Sequence, residues 1–402
     1  MSAAAKRMNA ESTAATPLCP HFGVCGGCQL QDLAYAEQLR RKQARLSELL
    51  QQGGISAPNL PTLVSHAAEP YGYRNRIRLR LQRVAGTLRF GYNRAGTTEF
   101  LPIATCPIAA PVLLQVAEAL LALAEDADAA HWLNAAAELE LFANQDLTRV
   151  QATLFCAPRT RAPRTGQPGS FDRVFTALHA AAPQLAGLAA AAFDPRTGPT
   201  GRILAEAGAP GLLYRVGALD FWVSRGSFFQ VNRFLLETLV ALACMQEGAA
   251  AAAPRAGRLA WDLYAGVGLF SCVLARSFAQ VTAVEANPIA CADLAAALRR
   301  LGPAHTALEA TALDFLRRAV LDRDRPELIV LDPPRAGAGL EACDLLLRLA
   351  PQQIVYVSCD PTTLARDLAC LQASYRVAAL HLVDLFPQTI HQETVAILDR
   401  SS

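Results

Sequence analysis

The sequence has little charge and no long apolar run. Charged residues make up 18% of the 402, too few for a disordered or heavily solvated chain. No stretch reaches the roughly 18 apolar residues of a membrane span. The segment Met1 to Thr16 carries Lys6 and Arg7 but no apolar core that would make it a secretory leader. A net charge of +2 neither demands nor excludes a nucleic-acid partner. There is no internal repeat. Eleven cysteines are an odd count in a long chain, unlike the framework of a small disulfide scaffold. These features point to a cytoplasmic, membrane-free monomer with reduced thiols. Core material is abundant: 52% of residues are hydrophobic, and the length suits two or three domains.

Met1 to Pro17 reads as a loose tail, followed by cysteines from Cys19 to Cys28. Leu33, Leu39, Leu46, Leu49 and Leu50 recur near helical spacing, predicting a helix over Leu30 to Gln52 that Gly53-Gly54 stops. From Tyr73 to Tyr92 a β-hairpin is expected, turning at Gly86-Thr87. In it Arg74, Arg76, Arg78 and Arg80 alternate with Asn75, Ile77, Leu79 and Leu81, which puts four arginines on one sheet face. Arg83, Arg89 and Arg94 extend this basic character. Ala157 to Ser170 reads as a surface loop, and the polyalanine Ala249 to Ala253 as a linker or helix end. Beyond Arg258 short strands alternate with helices: Leu259–Tyr264, Val281–Glu285, Leu328–Asp332 and Ile354–Ser358. That is the pattern of a doubly wound α/β domain. Val377–Leu385 and Glu393–Leu398 would close it as an antiparallel pair. The expected parts are a tail over 1–16, a cysteine and hairpin region over 17–110, a central α+β domain over 111–225, and the α/β domain over 226–402.

Asp262-Leu263-Tyr264-Ala265-Gly266-Val267-Gly268 is a strand running into a Gly-X-Gly turn. Glu285 ends the next strand, where doubly wound folds place an acid on ribose hydroxyls. A dinucleotide fingerprint would need a third glycine at 271, where Ser271 stands. With no diphosphate to cradle, the turn favours S-adenosylmethionine. Asp314 is a candidate for the adenine end, although such a residue more often caps a helix. Two strand ends carry further chemistry. Asp332-Pro333-Pro334-Arg335 is a rigid exit loop, and Ser358-Cys359-Asp360 points a thiol at the same crevice. A lone cysteine is more commonly a core residue; this placement makes it a nucleophile. Glu393, between the last two strands, is a candidate general base.

These motifs, with Ser227-Phe228-Phe229-Gln230-Val231-Asn232 and Phe386-Pro387-X-Thr389-X-His391-X-Glu393, resemble the RNA uracil-5-methyltransferase family from Cys19 to about Glu393. The resemblance implies a Rossmann-like class I methyltransferase domain. It makes Cys359 the nucleophile that adds to carbon 6 of uracil, so that carbon 5 can attack the methyl donor, and Glu393 the base that then removes the carbon 5 proton. It places Gln230, Tyr264, Gly266, Leu269, Glu285 and Asp332 around the cofactor and base, with Asp314 beside them, and offers Phe228 for stacking. Asp360 stands where the family more often has Asn. If ionised, it would raise the Cys359 pKa unless Arg335 offsets it. Leu269 replaces an often polar residue, so any contact there would use the backbone.

Cys19, Cys25 and Cys28 form C-x5-C-x2-C, and Cys106 is a natural fourth ligand. Spacing alone leaves zinc and iron–sulfur open. The ribosomal branch of the family implies a [4Fe–4S] cluster, tying the N-terminal segment to the hairpin. The arginine strand of the 17–110 region is the candidate RNA-backbone contact, followed by a central mixed α+β RNA-binding domain. Only 18 residues precede Cys19, so the RNA-binding TRAM barrel of that branch is expected to be missing. Ribosomal RNA, 23S in particular, is the expected substrate. The alternatives are transfer RNA, or a non-catalytic iron–sulfur RNA-binding protein.

Overall fold

The computed structural model describes residues 13–55, 60–162, 169–193, 201–246 and 254–401. The polyalanine stretch lies outside the described residues, as do 1–12 of the tail and 163–168 of the expected loop.

In chain order the elements are α1 (Tyr35–Gln52), β1 (Leu63–His66), β2 (Arg76–Val84), β3 (Thr87–Asn93), β4 (Phe100–Pro102), α2 (Pro111–Ala122), α3 (Ala127–Ala135), β5 (Ala136–Ala143), β6 (Val150–Cys156), α4 (Phe171–Ala181), β7 (Leu185–Ala192) and β8 (Arg202–Gly208). A hairpin β9 (Gly211–Val216) and β10 (Leu219–Ser224) then leads through α5 (Leu236–Cys244) to β11 (Gly257–Leu263), α6 (Ser271–Leu274) and β12 (Phe278–Glu285). The remainder is α7 (Pro288–Leu301), β13 (Thr306–Glu309), α8 (Ala312–Asp322), β14 (Leu328–Leu331), α9 (Leu340–Leu349), β15 (Gln353–Ser358), α10 (Pro361–Leu371), β16 (Tyr375–Val383) and β17 (Glu393–Arg400).

The C-terminal half is an eight-stranded sheet in the order β1-β16-β17-β15-β14-β11-β12-β13. β17 runs antiparallel to both neighbours, as the closing pair predicts. The central strands β14 and β15 bury both faces. Leu328, Val330, Val355 and Val357 pack into one core, while Ile329, Leu331, Ile354 and Tyr356 pack into the other. Burying such side chains contributes about 1.5–3 kcal/mol each. Doubly covered strands of this kind read as continuous apolar runs.

A second sheet of seven strands, β4-β3-β2-β5-β6-β7-β8, carries α2, α3 and α4 in its core. The boundary expected at 110 therefore cuts through one sheet, because β2 of the hairpin pairs with β5. The boundary expected at 225 also shifts. Leu212, Tyr214, Phe221 and Val223 of the β9–β10 hairpin pack into the C-terminal core. The N-terminal segment joins the C-terminal half too, with β1 on β16 and α1 against α10. The β2–β3 turn centres on Ala85 and Gly86 rather than Gly86-Thr87. Both have positive φ (48° and 83°), and Val84 pairs with Thr87, as a two-residue primed turn requires. Helix α1 begins at Tyr35, later than expected, because the Ala34 amide donates to the Thr13 carbonyl rather than closing a first turn on the Leu30 carbonyl.

Candidate active site

Strand alternation aims the chemistry. Continuing the period of two from Val330, Val357 and Val395 puts Asp332, Cys359 and Glu393 on one face. They lie at one edge of the adjacent strands β14, β15 and β17. Ser358 pairs with Thr394 in antiparallel register, so the next pair across the strands is Cys359 and Glu393. Gln230 Nε2 donates to Asp332 Oδ2 at 3.1 Å, and Asn75 Nδ2 donates to the Gln230 carbonyl at 3.1 Å.

These groups share a poorly solvated crevice. Glu393 is 2% exposed, and its Oε1 has no hydrogen-bond partner among the described residues. Burial, and then the Asp332 carboxylate, holds Glu393 well above the ordinary carboxylate range. Burial likewise raises Asp332. The Cys359 thiol is pushed up to about 11, first by burial and then by Glu393 and Asp332, while Arg335 offsets part of this. The influence expected from Asp360 is not found. Its carboxylate accepts from the Thr362 and Thr363 amides at 2.8 and 3.1 Å and caps α10.

Beside this crevice the chain turns sharply after β11. Tyr264, Gly266 and Gly268 all have positive φ, at 64°, 57° and 96°. A Cβ on residue 268 would lie 2.7 Å from Leu294 Cδ1, so close packing as well as backbone geometry demands glycine. Glu285 reaches this turn, accepting from the Gly266 amide at 2.8 Å and the Asn287 amide at 2.6 Å. Leu269 is buried in the core, which leaves only its backbone for a ligand. Thr311 caps α8, accepting from the Asp314 amide at 3.1 Å; Asp314 lies in the first turn, where its carboxylate accepts from Thr311 Oγ1 at 2.7 Å and pairs with Arg317 while 65% exposed. Among the described residues no contact ties it to the crevice, and the helix cap suggested for Asp314 by sequence is supplied by Thr311 instead.

Asp262 went unassigned by sequence reasoning. It is fully buried and accepts from the Ser271 amide at 2.8 Å and from the Ser271 hydroxyl. Burial pushes its pKa up to about 7. Ser271 in place of a third glycine thus pins the turn to the strand that precedes it. The signal was an acid inside an apolar strand nine residues before a serine.

Cys19, Cys25, Cys28 and Cys106 line one chamber of about 410 Å³, together with Arg74 and Tyr92. Backbone bonds join this segment to the end of β3, Gly26 N–H to the Asn93 carbonyl and Ala95 N–H to the Val24 carbonyl. Burial raises the Cys25 and Cys106 thiols and pushes Cys28 up to about 11. Among the described residues no group of three or more His, Cys, Asp or Glu side chains is drawn together as a site for a metal ion.

The arginine strand alternates as expected, but its face is covered. The Arg76 guanidinium lies 4.3 Å from the Phe142 ring centre and donates to the Ser227 carbonyl at 2.9 Å. Arg78 sits 4.0 and 4.7 Å from the Phe155 and Phe193 rings and pairs with Glu138 at 2.5 Å. Arg80 donates to Asn93 and to the Thr98 carbonyl, and Arg74 faces the cysteine chamber. An open phosphate ladder is not what these four residues form. Phe228, by contrast, is 62% exposed beside Gln230.

The strand order, the glycine turn after β11 and the acid ending β12 define an α/β methyltransferase of the doubly wound type. A sequence model of the tRNA (Uracil-5-)-methyltransferase family matches residues 219–401. The 23S rRNA (uracil(1939)-C(5))-methyltransferase RlmD of Edwardsiella ictaluri is 34% identical over 96% of this chain and 82% of its own length. An uncharacterized RNA methyltransferase of Nitratidesulfovibrio vulgaris is 32% identical over 95% and 82%. The fold matches that of the Pyrococcus abyssi tRNA (uracil-54, C5)-methyltransferase in complex with S-adenosyl-L-homocysteine. The TM-score is 0.68 at 24% identity, over 92% of this chain and 85% of that one. The chain belongs to the family of S-adenosylmethionine-dependent RNA (uracil-5-)-methyltransferases.

Proposed function

We propose that the chain methylates carbon 5 of a uridine in ribosomal RNA through a covalent Cys359 adduct. The carrying observation is the convergence of Cys359, Asp332 and Glu393 on one face of three adjacent strands. S-adenosylmethionine supplies the electrophilic methyl group. The Cys359 thiolate would add to carbon 6, and the pair displaced toward carbon 5 would attack that methyl group, breaking its bond to the donor sulfur, which keeps the electron pair and leaves as neutral S-adenosylhomocysteine. Glu393 then takes the carbon 5 proton; the electrons of that bond restore the ring double bond and expel Cys359. Gly266, Gly268 and Glu285 are assigned to the donor, Gln230 and Asp332 to the reacting base, and the exposed ring of Phe228 to stacking. The names of the 23S rRNA relatives favour ribosomal RNA.

The four-cysteine chamber fits a [4Fe–4S] cluster held by Cys19, Cys25, Cys28 and Cys106. What supports this reading is that all four cysteines line one chamber. Loading would release the protons that burial holds on Cys25, Cys28 and Cys106.

Purified protein incubated with ribosomal or transfer RNA and labelled donor should yield 5-methyluridine in the digested ribosomal RNA. Its absence from both RNAs would refute the activity, and its appearance in transfer RNA alone would reassign the substrate. Protein prepared without oxygen should be brown with about four irons per chain. A colourless, zinc-loaded protein would overturn the cluster.

A further inference from the structure

The loop that delivers Glu393 is strapped from a distance. Four consecutive carbonyls of this loop each accept from a remote donor. The Leu385 carbonyl accepts from Asn232 Nδ2 at 3.1 Å, and the Phe386 carbonyl from Lys42 Nζ at 3.0 Å. The Pro387 carbonyl accepts from the Tyr73 hydroxyl at 3.1 Å, and the Gln388 carbonyl from the Gln29 and Leu30 amides at 3.0 Å each. Gln38 grips Gln388 twice. Its Nε2 donates to Gln388 Oε1 at 3.0 Å, and its Oε1 accepts from the Gln388 amide at 3.0 Å. Lys42 also pairs with Asp384 at 2.6 Å, with both groups fully out of water (3% and 0% exposed).

Helix α1 spends two core positions on this. Gln38, Lys42, Leu46 and Leu50 form its buried stripe at a spacing of four. The last two are apolar, and leucines at the first two would cover the same surface without desolvating an amide and an ammonium. The polar pair instead holds Gln388 in a left-handed conformation, φ 69°, that a non-glycine residue keeps only when its surroundings impose it. Meanwhile the Glu393 Oε1 atom has no hydrogen-bond partner among the described residues. The aim of that carboxylate is therefore set by where β17 begins, and the strapped loop sets that.

We propose that Gln38 and Lys42 are positioning residues for Glu393, acting through the loop from Asp384 to Gln392; this rests on the reading of Glu393 as the base. Addition of Cys359 and methyl transfer do not need the base. Loosening the strap slows only the last step, in which the carbon 5 proton leaves to Glu393 and the carbon 6–sulfur bond breaks.

The test uses RNA tritiated at carbon 5 of its uridines and the full-length protein. It follows covalent adduct formation and tritium release in a single turnover. Gln38→Ala keeps a strong helix former in α1, and the double change Lys42→Met with Asp384→Asn removes both buried charges together. Expected in each is donor affinity and adduct formation within about twofold of the unaltered protein. Tritium release should fall about 10–100-fold, the scale of a misplaced catalytic group, and methylated adduct should accumulate. Release within twofold of normal in both would overturn the proposal. So would release, adduct formation and donor binding all falling together, since that is general damage. Glu393→Gln is the control. If it releases tritium normally, Glu393 is not the base; if it stalls as adduct while the α1 variants do not, only the strap fails.

Discussion

The Cys359 thiol offers the most direct measurement of the active-site electrostatics. Its pKa is pushed from the ordinary 9.0 to about 11. At pH 7.5 the thiolate fraction then falls from about 3 in 100 to about 3 in 10,000, a hundredfold loss. A more basic thiolate is also a better nucleophile. With a Brønsted slope near 0.45, two units raise its intrinsic reactivity about eightfold. The net slowing against an ordinary thiol is therefore only about tenfold at pH 7.5, and the rate keeps climbing with pH long after an ordinary thiol has levelled off. The assay is reaction with an aromatic disulfide across pH 7 to 12, with the Cys359 peptide quantified by mass spectrometry. Glu393→Gln and Asp332→Asn should each move the inflection down, because each removes a negative charge that faces the sulfur. Arg335→Met should move it up. Asp360→Asn should leave it in place, because that carboxylate is turned into the α10 cap. An inflection at or below 9 in the unaltered protein would refute the reasoning, as would an Asp360→Asn shift as large as that of Glu393→Gln.

Gly268→Ala forces a side chain at φ 96° and to within 2.7 Å of Leu294 Cδ1. It should cost about 1–3 kcal/mol in thermal or urea unfolding and weaken donor binding at least tenfold by calorimetry. Arg78→Met removes a cation held between Phe155 and Phe193 and should cost about 1–2 kcal/mol of stability while leaving the salt dependence of RNA binding unchanged; a slope smaller by about one would make Arg78 a phosphate contact after all. For Asp262 the folded carboxyl is raised from 3.8 to about 7, so the native state binds more protons between those values. Its contribution to stability is full below 3.8 and lost as the pH rises toward 7, so Asp262→Asn should gain on the unaltered protein in melting temperature from pH 5 to pH 8. A constant difference across that range would contradict the shift.

The placement of the candidate reacting residues was legible because a doubly wound sheet converts sequence into position. Asp332 and Cys359 follow apolar runs that can only be buried strands, and such strands end at one edge of the sheet. Glu393 was legible through the motif before it. The strap was not. Gln38 and Lys42 meet Gln388 and Asp384 across 350 and 342 residues, and no local pattern marks that meeting. Helical spacing drew attention to the leucines of α1, whereas two of its buried positions are polar. The arginine strand failed in another way. Alternation fixed which residues share a face, but not that Phe142, Phe155 and Phe193 would cover it. Domain boundaries drawn by composition missed that the hairpin and central segment share one sheet, because strand pairing is non-local.

The buried acids of the crevice are arranged as a demand for positive charge. Asp332 raises Glu393, both raise Cys359, and Arg335 relieves part of the strain on the thiol. Three anions at one poorly solvated strand edge are costly together, so in isolation protons stay on. Yet the proposed reaction needs Cys359 ionised to add and Glu393 ionised to accept a proton. A cation placed against these groups lowers all their pKa values at once. S-adenosylmethionine is such a cation, and its demethylated product is neutral. On the proposed reading, a sulfonium beside these carboxylates would favour the Cys359 thiolate with the donor bound over the thiolate in the bare crevice.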